Sequence, residues 1–186
     1  MKAAYIDTSV VIAKYKKNDP FYAAVKTLLE GRTVRCISAP ITLVELAAVI
    51  ARQRHVILVE DNMEDVKRAL TGLSEEDQIH VLTQFIVSDN PIEYYSHLGS
   101  ERLLYEAWEI EMFSDYATAI MFAPKLRLKC LDTLQISSLK SIILAKGEKV
   151  DYFVTNDQEL LDRRREISKL IGVTSVDPET LLQLEG

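Results

Sequence analysis

Cysteine is nearly absent from this chain. Cys36 and Cys130 are the only two in 186 residues and stand far apart. That excludes a disulfide framework, a Cys-rich metal cage and a Cys-x-x-Cys redox motif. A reduced, cytoplasmic compartment is the simplest inference. Long apolar runs are also missing. No window approaches the roughly 20 residues needed to span a bilayer, so no membrane partner is expected. Strand-like sequence begins at once, without the pattern of a secretory leader. There is no Gly-x-Gly-x-x-Gly and no Gly-Lys-Ser/Thr, so nucleotide-cofactor binding is unsupported. His55, His80 and His97 have no ligand spacing. Positive charge is in deficit, with 22 Lys and Arg against 28 Asp and Glu and a net charge of −6. That argues against a broad basic surface for nonspecific nucleic-acid binding and leaves room for a local basic rim. Internal repeats, low-complexity runs and linkers are absent as well.

The composition is that of an ordinary globular protein, 48% apolar and 27% charged. The length predicts one domain over residues 1–186 with a sizeable core. Residues 2–6 read as a buried strand, and Thr8 to Lys17 as a helix. Asp19-Pro20 starts a helix to about Glu30, with Pro at its first position. Thr33 to Ile37 fit a second strand, and Pro40 opens an apolar helix to about Arg54. Helices are expected near 61–71 and 75–88, the latter with Ser74 and Asp77 in capping-box spacing. Ile92 to Ser96 read as a third strand. Ser100 to Ala123 read as one long helix ended by Pro124. Leu131 to Ala145 form a helix, Asp151 to Thr155 a fourth strand, Gly172 to Val176 a fifth, and Pro178 to Leu184 a last helix. Alternating strands and helices predict an α/β fold with a mainly parallel sheet, carrying an extended helical segment over about 60–123.

Four acids keep unusual company. Asp7 closes the strand-like run Ala3-Ala4-Tyr5-Ile6. Glu45 is embedded in an apolar helix among Ile41, Thr42, Ala48 and Val49, on a face expected to be largely buried. Asp132 shares a stripe with Ile136, Leu139 and Ile143. Asp157 closes Val154-Thr155-Asn156. A carboxylate out of reach of water needs a cation, a proton or a partner. Each acid also has an ordinary explanation. Glu45 could pair with Arg52 or Arg54. Asp132 could be a first-turn acid, and Asp7 and Asp157 could be helix N-caps. Taken together they point elsewhere. In an open α/β sheet, ligands bind beyond the carboxyl ends of the strands at the topological switch point. Four oxygen-bearing side chains converging there would suit Mg²⁺ or Mn²⁺. Two such ions roughly 3.5–4 Å apart would support phosphodiester hydrolysis.

The motifs Tyr5-Ile6-Asp7-Thr8-Ser9, Thr42-Leu43-Val44-Glu45, Leu131-Asp132-Thr133-Leu134 and Val154-Thr155-Asn156-Asp157 span nearly the whole chain. In that order they resemble the PIN domain, the fold of many metal-dependent ribonucleases, and look most like VapC toxins of toxin–antitoxin pairs. The resemblance implies a three-layer α/β/α domain with a central, mainly parallel five-stranded sheet. It also implies a Mg²⁺ or Mn²⁺ site, cleavage of RNA, a small antitoxin partner and a homodimer. Acidic roles fall to Asp7, Glu45, Asp132 and Asp157. Thr155, Ser9 and Asn156 would orient ligands or water. The segment between Glu45 and Asp132 is longer than in compact toxins, with extra helices between the second and fourth strands. A catalytically weak RNA- or protein-binding module, or a non-toxin RNA-processing nuclease, are the alternatives.

Other residues have two readings each. Arg163-Arg164-Arg165 could grip phosphates or simply end a helix, and Lys14, Lys16 and Lys17 could form a rim or a solvated end. Tyr94, Tyr95 and Trp108 could stack bases or pack. Asp115 and Asp162 could be accessory acids or solvated helix residues. An aspartyl-phosphate phosphatase would want a second Asp at position 9, where Ser9 stands. A receiver domain lacks its later acid-plus-Lys arrangement.

Overall fold

The computed structural model describes residues 1–31, 33–57, 63–96, 99–105 and 108–186, with the side chains of 55, 56, 105 and 108 also outside the description. Five short strands, β1 (Ala3–Ile6), β2 (Arg35–Ser38), β3 (Ile92–Tyr94), β6 (Tyr152–Val154) and β7 (Thr174–Val176), form one parallel sheet in the order β3-β2-β1-β6-β7. The chain winds outward from β1 to β3, then returns to the other side of β1 with β6. The switch point therefore lies between β1 and β6, the strands that end in Asp7 and just before Asp157.

Both faces of the sheet are covered, which explains why β1 and β6 read as continuous apolar runs. Pleating sends alternate side chains to opposite faces. Ala4, Ile6, Tyr152 and Val154 join one core with Val25, Leu46, Ile50 and Leu82. Tyr5 and Phe153 join the other with Ile136, Leu139, Ile142 and Ile167. The first core is packed by α1 (Thr8–Ala13), α2 (Tyr22–Gly31), α3 (Pro40–Ile57), α5 (Glu75–Ser88) and α10 (Pro178–Glu185). The second is packed by α6 (Ser114–Leu126), α7 (Cys130–Lys146), α8 (Gln158–Asp162) and α9 (Arg164–Ile171). This is a three-layer α/β/α architecture. The short α4 (Glu64–Leu70) precedes α5, whose cap has the expected spacing: Ser74 Oγ accepts from Asp77 N–H at 3.1 Å.

The expected long helix over 100–123 is not what forms. Strands β4 (Ser100–Tyr105) and β5 (Trp108–Phe113) pair antiparallel, from Ser100↔Phe113 to Tyr105↔Trp108. The sequence Trp108-Glu109-Ile110-Glu111-Met112 alternates apolar and acidic residues, a period of two that fits a strand. Leu, Glu and Met favour helices by propensity, and propensity is the weaker signal where cross-strand pairs compensate. Arg102 meets Glu109 at 3.2 Å and Ser100 Oγ donates to Glu111 at 3.0 Å. Pro124 does not end α6 either. It forgoes its own N–H bond and crowds the carbonyl one turn earlier, yet the helix runs on to Leu126 before Arg127 turns left-handed at φ 55°. α1 stops at Ala13, four residues before Lys17, where the expected helix ended. Among the described residues no helix is long and apolar enough to cross a membrane.

Candidate metal centre

Asp7 continues the β1 ladder, its N–H donating to Val154 O at 3.0 Å, and then hands the chain to α1. It occupies the N-cap position in extended conformation (φ −76°, ψ 156°), yet its side chain makes no capping bond. The carboxylate is turned to the sheet end instead. Its Oδ2 accepts from Ser9 Oγ at 2.6 Å and from Thr155 Oγ1 at 2.8 Å. Burial lifts its pKa to about 6. The two hydroxyl bonds hold it down and the charge of Glu45 adds to the rise.

Ser9, Thr155 and Asn156 tie α1 to the end of β6. Asn156 N–H donates to Ser9 Oγ at 3.0 Å, and Asn156 Nδ2 to Ser9 O at 3.3 Å. Asp157 follows as N-cap of α8, one carboxylate oxygen accepting from Glu159 N–H at 2.7 Å. Its capping role and its place at the site are compatible, because only Oδ1 is engaged by the helix.

Glu45 is half-buried, not sealed as the sequence suggested. α3 buries the stripe Thr42, Leu46 and Ile50, while Val44 (61% exposed) and Ala48 face outward. The expected pairs with Arg52 and Arg54 do not form. Arg54 meets Glu75 at 2.6 Å, and Arg52 Nε donates to Ala48 O. Glu45 Oε2 instead accepts from Thr8 Oγ1 at 2.7 Å and from Gln135 Nε2 at 3.1 Å. Gln135 is fully buried, and its Oε1 accepts from Tyr5 OH at 2.5 Å and Thr42 Oγ1 at 3.1 Å. Sequence reasoning missed Gln135 and the bond from Thr8. The available signal was one amide in an apolar stripe, three residues after Asp132 on the same helix face.

Asp132 stands in the first turn of α7. Its Oδ2 is buried without a hydrogen-bond partner. Burial raises its pKa to about 7, and the charges of Asp7, Asp157 and Glu45 push further, with Lys129 opposing them. Mutual repulsion of this kind requires the four acids to be close. They line a single cavity of about 260 Å³ with Thr8, Ser9, Asn156, Lys16 and Asp19, at the carboxyl ends of β1 and β6. Thr155 reaches it through Asp7.

These residues fit a hard divalent cation. Every candidate donor is oxygen, and no soft ligand competes. The orphaned Asp132 Oδ2 is an acceptor that a cation would satisfy. Among the described residues, no three of His, Cys, Asp and Glu are grouped as a ready-made cage. Mg²⁺ does not demand one, since it keeps several waters and binds through one or two carboxylates.

The family model described as PIN domain matches residues 4–166. The chain belongs to the PIN-domain family. The match covers β1 through the first residues of α9 and includes all four acids. PIN domains are nucleases, generally dependent on divalent metal, and the three-layer fold is theirs. No curated protein matches the sequence.

Of the remaining predicted residues, most lie elsewhere. Asp115 is half-buried, bound by Ser138 Oγ at 2.8 Å with its other oxygen unpartnered. Asp162 is exposed and accepts from Gln158. Lys14 is buried against Asp89 at 2.9 Å, a structural pair and not a rim, whereas Lys16 does line the acidic cavity. Tyr94 and Tyr95 are half-buried, each packed against one of the two cores. His80 bonds Gln84 on the surface. His97 and the side chains of His55 and Trp108 lie outside the described residues.

Proposed function

We propose that the chain is a Mg²⁺- or Mn²⁺-dependent endoribonuclease, the toxin of a toxin–antitoxin pair. The observation that carries the nuclease reading is Asp132. It has a buried, unpartnered oxygen and lines a pocket shared with three other acids from separate segments. A divalent cation held by Asp7, Glu45, Asp132 and Asp157 would lower the pKa of water and offset charge on a phosphate. The chain's own groups do the rest. Ser9 and Thr155 fix the Asp7 carboxylate through Oδ2, and Gln135 and Thr8 fix Glu45 through Oε2. Without a cation, burial and the neighbouring acids hold the Asp132 pKa up near 7, and a bound cation would displace its proton. Cleavage of a mixed RNA pool with Mn²⁺, Mg²⁺ or chelator tests this. Loss of cleavage with chelator and in Asp132→Asn is expected. Metal-independent cleavage would overturn it.

Partner binding is supported by an apolar band on β5 and α6. Phe113, Tyr116, Ile120 and Met121 are all exposed, and clefts of about 250 and 510 Å³ meet at Tyr116 and Leu134. Exposed apolar patches mark interaction sites, and here they suit a second copy and an antitoxin. A basic antitoxin side chain inserted among the carboxylates would replace the cation's charge. Growth arrest on expression, relieved by the neighbouring small gene, is expected. Unimpaired growth with a soluble, active protein would remove the toxin role alone. The rival reading is a catalytically weak binding module. RNA binding without metal-dependent cleavage would establish that rival.

A further inference from the structure

The basic run after Asp157 has a placement that the acid cluster does not use. Arg164, Arg165 and Lys169 are exposed on α9, and none has an ion pair among the described residues. They line one wall of a cleft of about 310 Å³. Ser168, Thr174 and Ser175 complete it, the last two from β7 at the edge of the sheet. Every residue of this lining is therefore a cation or a hydroxyl, and no carboxylate enters it. Ser175 is only 4% exposed, and its Oγ has no hydrogen-bond partner. A buried hydroxyl left unmet is unfavourable unless a ligand or water engages it.

Arg164, Arg165 and Ser175 are shared with a second cavity of about 600 Å³, which extends along α8 to Gln158, next to Asp157. Three acids also line it: Asp177 caps α10 through Thr180, Asp162 accepts from Gln158, and Glu166 is half-buried beside Arg165. Gln158 directly follows Asp157 of the acid cluster, so the larger cavity lies between that cluster and the cleft of cations and hydroxyls. Guanidinium forks and hydroxyls match the oxygens of a phosphate group.

We propose that the α9–β7 cleft is a subsite for a backbone phosphate of single-stranded RNA whose reacting bond lies at the acid cluster. The proposal rests on the ribonuclease reading for its substrate, and its test does not depend on cleavage. Binding of a labelled RNA of about a dozen nucleotides is followed by fluorescence anisotropy in chelator, across a salt series. Wild type is compared with the Arg164→Gln/Arg165→Gln/Lys169→Gln variant and with Ser175→Ala. The triple variant should bind severalfold more weakly at low salt. The slope of log affinity against log salt should shrink by about 0.7 for each RNA phosphate that the variant no longer neutralises. Ser175→Ala should lose affinity while its melting temperature holds or rises, since the unmet hydroxyl is gone.

Equal slopes and affinities in all three proteins, or no RNA binding by wild type, would overturn the proposal. So would a rise in melting temperature for Ser175→Ala with unchanged affinity, which marks the hydroxyl as a packing defect. Inorganic phosphate provides the second arm. Protection of wild type by phosphate, with RNA slopes unchanged, would assign the cleft to free phosphate and overturn the RNA subsite. Binding that behaves as expected in a protein that cleaves nothing with Mn²⁺ would count against the acid cluster, not the cleft.

Discussion

Gln135 Nε2 donates to Glu45 Oε2 across 3.1 Å, from a position sealed from solvent. Its amide oxygen is held from the other side by Tyr5 and Thr42. The amide is therefore fixed at both ends, and the orientation of Glu45 follows from the buried interior of the sheet.

Gln135→Leu should separate positioning from packing. Losing the acceptor leaves Tyr5 OH unmet, at a cost of about 1–3 kcal/mol. Each kcal/mol lowers Tm by roughly 2–4 °C in a chain of this size. If Glu45 is a ligand, calorimetric titration of the folded variant should also show weaker Mn²⁺ binding. A lowered Tm with unchanged Mn²⁺ affinity would reduce Gln135 to a packing role.

Asp132 dictates a pH dependence in the metal-free protein. Its folded pKa of about 7 lies above the ordinary 3.8, so the folded state binds the extra proton between those values. Stability from this group is present below about pH 4 and is lost as pH rises through 7. Asp7, raised to about 6, acts in the same direction. Thermal melts in chelator should show Asp132→Asn gaining on wild type as pH rises from 4 to 8. A constant difference between the two would contradict the buried, repelled carboxylate.

Divalent metal should reverse that penalty by mass action. At pH 7.5, Mn²⁺ should raise the Tm of wild type, and Asp132→Asn should respond less. The same rise in both proteins would exclude Asp132 as a ligand.

Asp7→Asn distinguishes a ligand from a helix cap. Asn caps as well as Asp, and Asp7 makes no capping bond to lose. Near-complete loss of Mn²⁺-dependent RNA cleavage with an unchanged circular dichroism spectrum is expected. Cleavage retained within about twofold, under 0.5 kcal/mol of barrier, would return Asp7 to a structural role.

The apolar band predicts self-association. Tyr116→Asp together with Ile120→Asp places charge on exposed α6 positions and should shift sedimentation from dimer to monomer and remove the dependence of Tm on protein concentration. A wild type that already sediments as a monomer at micromolar concentration would remove this surface as a dimer contact.

The sequence by itself determined the sheet and the identity of the acids. β1 and β6 could be read because Tyr5-Ile6 and Phe153-Val154 are buried on both faces, so local hydrophobicity reports them directly. Asp7 and Asp157 could be read because an acid ending such a run sits where the strands open. The β4–β5 pair was only partly legible: Leu, Glu and Met favour a helix, and that propensity masked the period-two alternation of Trp108 to Met112. Glu45 and Gln135 needed the tertiary structure more. Which faces of α3 are covered depends on how α5 and α7 pack against it. A bond between residues 90 positions apart exists only after β2, α3 and α7 meet. The Asp132 oxygen without a partner is a fact of the same kind, because burial and loneliness are properties of the assembled pocket and not of the residue.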